Sequence, residues 1–189
     1  MDGVKYKVTY KHMIKVGQPA PDFTLIGYED GEFQNYTLSE VNKAGKWAVV
    51  FFYPLDFTFV CPTEITGFNE HIKDFQDLNT QVMGISVDSV HSHKAWVEHE
   101  LGKLEFPLLS DFNKETSEDY NLLVEADEAG GGEVALRGTF VVDPDGILRY
   151  QVVSDNNVGR SITETVRVVK ALQQGGLCPV DWNEGDELL

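Results

Sequence analysis

Positive charge is scarce in this sequence. Its 189 residues include 15 Lys and Arg against 31 Asp and Glu, which gives a formal net charge of −16 at pH 7. A field of this sign repels nucleic acid and anionic membrane surfaces. We therefore expect neither a nucleic-acid partner nor a membrane partner.

Long hydrophobic runs are also absent. No apolar stretch is long enough to cross a bilayer, and no positively charged start precedes an apolar segment as in a secretory signal. The hydrophobic fraction of 42% is nevertheless ordinary for a globular protein. The sequence therefore predicts one domain over residues 1–189, located in the cytoplasm.

Cysteine is rare, since only Cys61 and Cys178 are present. Two cysteines in a reducing compartment seldom form a structural disulfide, so any pairing between them is better explained as transient and catalytic. Neither belongs to a Cys-x-x-Cys motif, because Pro-Thr-Glu follows Cys61. This absence disfavours a thiol–disulfide oxidoreductase of the thioredoxin type.

The segment around Cys61 joins a predicted buried strand to a predicted helix. Residues 48–53 (AVVFFY) form a short apolar run that is typical of a buried parallel strand. Residues 65–78 then show apolar side chains at helical spacing. Pro62 and Glu64 both suit a helix start, so Cys61 is predicted at or near a helix N-terminus, where backbone N–H groups favour a thiolate.

Cys61 has three possible roles on these grounds: an inert buried thiol, a metal ligand or a nucleophile. A metal site would need further Cys or His at ligand spacing. The one histidine cluster, His91, His93 and His99, is predicted to lie on a solvent-facing side of a helix. The position of Cys61 at a helix start favours the nucleophile.

The rest of the chain alternates predicted strands and helices. Strands are predicted at residues 82–87 and 106–109, helices at 91–101 and 115–120, a hairpin at 139–142 and 147–153, and a last helix including Ile162, Val166, Val169 and Leu172. Gly130-Gly131-Gly132 predicts a flexible loop; no Lys-Ser/Thr follows it, as a phosphate-binding loop would require. This order predicts an α/β fold with a mixed sheet flanked by helices.

Pro54 and Thr58, which precede Cys61, could contact a small oxygen-containing substrate. Pro54 is rigid and lacks an N–H, so it can wall a thiolate without binding it. The hydroxyl of Thr58 can donate and accept hydrogen bonds, as contact with both a thiolate and a peroxide would require. The spacing of the three residues is Pro-x-x-x-Thr-x-x-Cys.

Residues 54–64 (PLDFTFVCPTE) closely resemble the active-site segment of the peroxiredoxins, in particular the typical two-cysteine group that includes the peroxidase subunit of bacterial alkyl hydroperoxide reductase. The resemblance covers most of the chain, with further matching stretches at residues 17–23, 106–111, 137–140, 158–161 and 177–179. It implies a thioredoxin fold and a thiol-dependent peroxidase that needs no bound cofactor or metal.

The resemblance also implies a reaction cycle. Cys61 attacks hydrogen peroxide or an organic hydroperoxide and becomes a sulfenic acid, which Cys178 resolves as a disulfide. Cys178 would lie on a C-terminal arm that starts at about residue 174, and would come from the partner subunit of a homodimer. Five such dimers commonly join into a ring. A thioredoxin or the flavoprotein of alkyl hydroperoxide reductase would then reduce the disulfide.

Four further roles follow from the resemblance. Thr58 and Arg137 would stabilise the transition state, while Glu64 would orient Arg137 and Arg160. Simpler roles are compatible with these: Glu64 as a helix-start charge, Arg160 as a loop cation before a helix cap, and Pro54 as the end of a strand. A holdase chaperone ring is the alternative function from another class.

Overall fold

The computed structural model describes residues 14–126 and 132–189. Its main feature is a seven-stranded mixed sheet with the strand order β2-β1-β5-β4-β3-β8-β9. The seven strands are β1 (Thr24–Glu29), β2 (Glu32–Thr37), β3 (Trp47–Phe52), β4 (Thr80–Ser86), β5 (Leu108–Ser110), β8 (Arg137–Val142) and β9 (Leu148–Ser154). A separate two-stranded sheet contains β6 (Leu123–Ala126) and β7 (Gly132–Ala135).

Helices flank the main sheet. They are α1 (Leu38–Lys43), α2 (Cys61–Glu70), α3 (Ile72–Asp77), α4 (Val90–Trp96), α5 (Glu115–Asp119) and α6 (Ile162–Gln174), and a π-helical turn, Val97–Leu101, extends α4. Strand β3 pairs in parallel with β4 and antiparallel with β8. The predicted α/β fold with a mixed sheet is therefore confirmed.

Strand β3 lies at the centre of the molecule and is buried on both faces. Val49 and Phe51 pack with residues of α2, α3 and α6 on one face, whereas Val50 and Phe52 pack into a second core cluster on the other. Successive side chains of a strand point to opposite faces. Burial of both faces explains why the segment is apolar at every position rather than at alternate ones.

The predicted helix over residues 65–78 is in fact two helices. α2 ends at Glu70 and α3 begins at Ile72, while His71 between them has φ −97° and ψ 8°, outside the α-helical range. The apolar spacing continues across this break, because Ile65, Phe68, Ile72 and Phe75 all pack into one core cluster.

The hairpin of β1 and β2 was not predicted. Strand β2 (EFQNYT) is a sheet edge with mostly exposed residues, so it lacks a buried apolar pattern. The local signal was nevertheless present: Asp30-Gly31 joins the strands with φ values of 48° and 90°, as a two-residue hairpin turn requires. Gly130 and Gly131 of the predicted loop lie outside the described residues, whereas Gly132 begins β7.

The prediction of a solvent-facing histidine cluster was wrong for His93. Its side chain is fully buried, while His91 and His99 are exposed. Val90, His93 and Trp96 follow one another at intervals of three residues and form the inner side of α4. Within the described part of the chain, no helix is long and apolar enough to span a bilayer.

Candidate active site

Cys61 is the first residue of α2, and its side chain is fully buried. Residues 53–60 lead to it from the carboxyl end of β3. Val60 is the N-cap residue and provides no side-chain cap, while its carbonyl accepts hydrogen bonds from the N–H groups of Thr63 and Glu64. The predicted position of Cys61 at a helix N-terminus is confirmed.

Two arginines and one carboxylate lie beside the thiol. Nη1 of Arg137 is 3.3 Å from Sγ of Cys61 and 2.5 Å from Oε2 of Glu64. Arg160 contacts the same carboxylate, with Nε 2.8 Å from Oε1 and Nη2 3.2 Å from Oε2. Glu64 therefore bridges both guanidinium groups.

The fold explains why these distant residues meet. β8 runs antiparallel to β3, so Arg137 at the start of β8 lies next to the end of β3, where Cys61 follows. Glu64 comes three residues after Cys61 and shares its side of α2. Glu64 is separated from Arg137 by 73 residues and from Arg160 by 96 residues in the sequence.

Arg160 is fixed by backbone and side-chain acceptors as well as by Glu64. It donates to the carbonyls of Phe52 (2.7 Å) and Gly138 (2.9 Å) and lies over the Phe51 ring, 5.3 Å from its centre. Burial lowers the pKa of Arg160, and the charge of Glu64 opposes this effect. Because an arginine stays protonated in proteins, its charge persists.

The site beside Cys61 carries an excess of positive charge. The side chains of Arg137, Arg160 and Glu64 are each at most 5% exposed, so water screens them little. Two guanidinium groups against one carboxylate leave one excess positive charge. This excess lies beside the Cys61 sulfur, 3.3 Å from the Arg137 guanidinium.

Pro54 and Thr58 lie in the loop before Cys61. Pro54 is buried, and Thr58 is partly buried with its hydroxyl donating to the Leu55 carbonyl at 3.0 Å. The structure contains no hydrogen bond between Thr58 and Cys61. A hydroxyl that donates to Leu55 keeps its lone pairs, so it can still accept a hydrogen bond from a peroxide.

Cys178 lies away from this group of side chains. It follows the end of α6, is partly buried, and its thiol is 3.7 Å from the Ala171 carbonyl. Both cysteines are free. The structure thus brings Cys61, Glu64, Arg137 and Arg160 together, and it does not place Cys178 with them.

Comparison with known proteins identifies the family. The model of the AhpC/TSA family matches residues 16–151. The chain is also 48% identical over 180 residues to a putative peroxiredoxin in the rubredoxin operon of Clostridium pasteurianum, covering 92% of this chain and 98% of that protein. The chain belongs to the AhpC/TSA family of peroxiredoxins. It is accordingly a thiol-dependent peroxidase.

Two further relatives support the family and the fold of this peroxiredoxin. A mitochondrial thioredoxin-dependent peroxide reductase of Drosophila melanogaster is 48% identical over 179 residues, 90% of this chain and 74% of that protein. The crystal structure of a reduced 2-Cys peroxiredoxin from Plasmodium vivax superimposes with a TM-score of 0.84 at 35% identity, covering 91% of each chain. The predicted thioredoxin fold of the peroxiredoxin type is confirmed.

Sequence reasoning missed several residues around the site of this peroxiredoxin. Asn156 accepts a hydrogen bond from Nε of Arg137 through its carbonyl, at 2.8 Å, and so fixes the second side of that guanidinium group. A backbone acceptor has no signal in the sequence. The buried polar pair of Asp56 and His93, which borders the loop, was also missed, although Asp56 lies within the family segment.

Proposed function

We propose that Cys61 is the nucleophile that reduces hydrogen peroxide and organic hydroperoxides. Its thiolate sulfur attacks one peroxide oxygen, the O–O bond breaks, and the departing oxygen takes a proton to become water or an alcohol. Cys61 is left as a sulfenic acid. The observation that carries this proposal is the 3.3 Å contact between Sγ of Cys61 and Nη1 of the buried Arg137.

Formation of a thiolate cannot supply most of the rate. A free thiol with a pKa of about 8.5 is already ~3% ionised at pH 7, so complete ionisation gains at most roughly thirtyfold. The larger contribution must come from donors that stabilise charge on the departing oxygen. Nε and Nη1 of Arg137 already contact the Asn156 carbonyl, Cys61 and Glu64, and Nη2 is the donor that we assign to that oxygen.

We assign Glu64 and Arg160 to the positioning of Arg137. The Glu64 carboxylate accepts hydrogen bonds from both guanidinium groups, and Arg160 is itself held by the Phe52 and Gly138 carbonyls. This arrangement supports a fixed donor, whose geometry needs no rearrangement as the O–O bond breaks. Pro54 forms one wall of the site beside the thiol, and Thr58 accepts a hydrogen bond from the peroxide.

Cys178 of the partner subunit resolves the sulfenic acid in our proposal. Its thiolate attacks the Cys61 sulfur, an S–S bond forms, the S–O bond breaks, and the departing hydroxide takes a proton to become water. Because bridged Cα atoms must approach within about 7 Å, the buried start of α2 has to unwind first. The separate positions of Cys61 and Cys178 within one chain support resolution between subunits.

Exposed apolar surface supports the proposed homodimer and its assembly into a ring. β9 is an edge of the main sheet, and its Val152 and Val153 are 41% and 46% exposed. An open edge with apolar side chains is a surface on which a second copy can pair. Phe57, Phe59 and Phe112 form further exposed aromatic surface, which supports contacts between dimers.

We infer that thioredoxin is the reductant, and we place the cycle in the cytoplasm. The Drosophila relative, 48% identical, carries thioredoxin dependence in its name. Steady-state assays with thioredoxin and thioredoxin reductase, and separately with the flavoprotein of alkyl hydroperoxide reductase, test the assignment. Turnover with the flavoprotein alone would overturn it.

The same assay tests the peroxidase proposal as a whole. The wild-type protein should consume hydrogen peroxide and the Cys61→Ser variant should not. A wild-type rate no greater than that of an ordinary free thiol would refute the proposal. Suppression of client aggregation by Cys61→Ser, in that case, would favour the chaperone ring.

A further inference from the structure

The loop over residues 53–60 contains a strained turn at its centre. Phe57 has φ 54°, in the left-handed region that bulky residues avoid. Pro54 precedes this residue and Thr58 follows it, so both depend on the turn for their positions. Strained backbone persists only where surrounding contacts over-determine it. The loop therefore needs an anchor outside itself.

Asp56 connects the loop to that anchor, which His93 and Asp88 provide. Its side chain is 1% exposed, and Oδ2 is 2.8 Å from Nδ1 of His93 while Oδ1 accepts a hydrogen bond from the Tyr53 hydroxyl at 2.9 Å. Its backbone N–H donates to Oδ2 of Asp88 at 2.8 Å. Three buried or partly buried contacts therefore fix the one residue that lies midway between Pro54 and Thr58.

The His93 ring faces acceptors on both sides. Nδ1 faces the Asp56 carboxylate, and Nε2 is 3.1 Å from the Leu109 carbonyl. A neutral imidazole donates only one hydrogen bond. The contacts are therefore satisfied only with one proton on Nε2 and a second held between Nδ1 and Oδ2. Because the pair is fully buried, loss of either partner leaves the other uncompensated.

The neighbouring groups support this arrangement. Burial, and then the charge of Asp56, raises the pKa of Tyr53 well above its ordinary value, so Tyr53 remains a donor. Burial and Asp56 also raise the pKa of Asp88, against the hydrogen bonds that it accepts and the nearby His93. Trp96, one turn after His93, packs under Phe57 with ring centres 5.7 Å apart. α4 thus contacts two successive residues of the loop, Asp56 through His93 and Phe57 through Trp96.

We propose that His93 is a positioning residue of this peroxiredoxin: through Asp56 it holds the loop that carries Pro54 and Thr58 beside Cys61. The inference rests on the proposed function. Attack on peroxide needs the closed loop, whereas the disulfide with Cys178 needs the start of α2 to open. Release of Asp56 from His93 therefore slows the first step and accelerates the second.

Two variants of His93 separate its contacts. In His93→Asn the amide nitrogen lies near the place of Nδ1 and can still donate to Asp56, whereas in His93→Gln it lies near the place of Nε2 and reaches Leu109 instead. His91→Asn, an exposed position on the same helix, is the control. Rapid mixing with peroxide, quenching and mass spectrometry yield the oxidation rate of Cys61 and the rate of disulfide formation separately.

We expect His93→Gln to lower the oxidation rate roughly 10- to 100-fold, as for a misplaced catalytic loop, while disulfide formation becomes faster. His93→Asn should stay near the wild type in both steps. A proportional fall of both rates, or equal behaviour of the two variants, would show a merely structural role and overturn the inference.

Hydrogen exchange provides a readout that does not depend on activity. Amides of residues 53–60 should exchange faster in His93→Gln than in His93→Asn or His91→Asn, with β3 unchanged. Equal exchange in all three variants would contradict the anchor. If the wild-type protein fails to react with peroxide, the proposed function is wrong, but this exchange comparison still decides whether His93 holds the loop.

Discussion

The two cysteines lie in opposite environments. Cys61 is fully buried at the junction of β3 and α2, with the charged groups of Arg137, Arg160 and Glu64 around it. Cys178 follows the last helix in a segment of turns, and its thiol lies 3.7 Å from the Ala171 carbonyl oxygen. The comparison teaches that the thiol we propose as the nucleophile is buried beside a buried, hydrogen-bonded arginine, whereas the thiol we propose as the resolving one lies on a mostly exposed segment.

The segment after α6 contains one buried aromatic side chain. Trp182 is 2% exposed, and its carbonyl accepts a hydrogen bond from Nη1 of Arg167 at 3.0 Å. Lys170 and Glu184 add an ion pair at 2.8 Å. Segments with few buried contacts open at low free-energy cost, which supports our proposal that this arm detaches and carries Cys178 to another subunit.

The largest effects are expected when each cysteine is replaced in turn. Cys61→Ser should abolish peroxide reduction, because the nucleophile is lost. Cys178→Ser should keep the wild-type rate of the first oxidation and stop at the sulfenic acid, detected by intact mass and by dimedone trapping. A slow first oxidation in Cys178→Ser would contradict the division of roles between the two regions.

Glu64→Gln should cause the next largest effect, on stability. It leaves the buried Arg137 and Arg160 without their carboxylate, and breaking a buried pair in this way costs about 3–5 kcal/mol of unfolding free energy. Denaturant unfolding measures the loss. Glu164→Gln is the matched control: its pair with Arg167 is partly exposed, so a loss below about 1 kcal/mol is expected. Equal losses of unfolding free energy in the two variants would show that burial does not determine how much the ion pair contributes.

Arg137→Gln should lower the oxidation rate of Cys61 about 10²- to 10³-fold, the usual cost of removing a donor that stabilises transition-state charge. Arg137→Lys should recover part of the rate, because it restores the charge but not the planar fork. Stopped-flow measurements under single-turnover conditions give these rates. Arg149→Gln, a half-exposed arginine in β9, serves as the control. A wild-type rate in Arg137→Gln would remove Arg137 from the mechanism.

Trp182→Ala should affect only the segment after α6, which carries Cys178. Loss of the buried indole weakens retention of the arm, so disulfide formation should become severalfold faster while the oxidation rate of Cys61 stays unchanged. Quenched-flow samples on nonreducing gels report the rate of disulfide formation, and stopped-flow measurements report the oxidation rate of Cys61. Slower disulfide formation would show that the seated arm, rather than the detached one, presents Cys178.

The smallest effect is expected at the exposed ion pair of Lys170 and Glu184. Their side chains are 31% and 68% exposed, and such pairs contribute little to stability. Glu184→Gln should therefore leave the rate of disulfide formation within error of the wild type. An increase comparable to that of Trp182→Ala would show that electrostatics, rather than apolar packing, retains the arm.

Local patterns predicted the centre of the site, and distant contacts explain the rest. The apolar run of β3 and the helix-start residues Pro62 and Glu64 placed Cys61 correctly, because these signals lie within a few residues of one another. Arg137 and Arg160 were selected only through the family resemblance, since 76 residues separate Arg137 from Cys61. Sequence alone does not distinguish them from surface arginines.

His93 shows the same limit. A histidine in a helix with charged neighbours is predicted to be exposed. Only the packing of α4 against Asp56 and Leu109 makes His93 a buried hydrogen-bond partner of these two residues. The segment that carries Cys178 likewise makes a contact that no local pattern predicts, the hydrogen bond from Arg167 of α6 to the Trp182 carbonyl.

Mixing the two single-cysteine variants tests the central claim most directly. Reduced Cys61→Ser, which keeps Cys178, is mixed and exchanged with reduced Cys178→Ser, which keeps Cys61, and one equivalent of hydrogen peroxide is added. We predict a disulfide-linked dimer of two 21.2 kDa chains in the mixture and in neither variant alone. No linked dimer in the mixture, together with a disulfide inside single wild-type chains, would contradict the account.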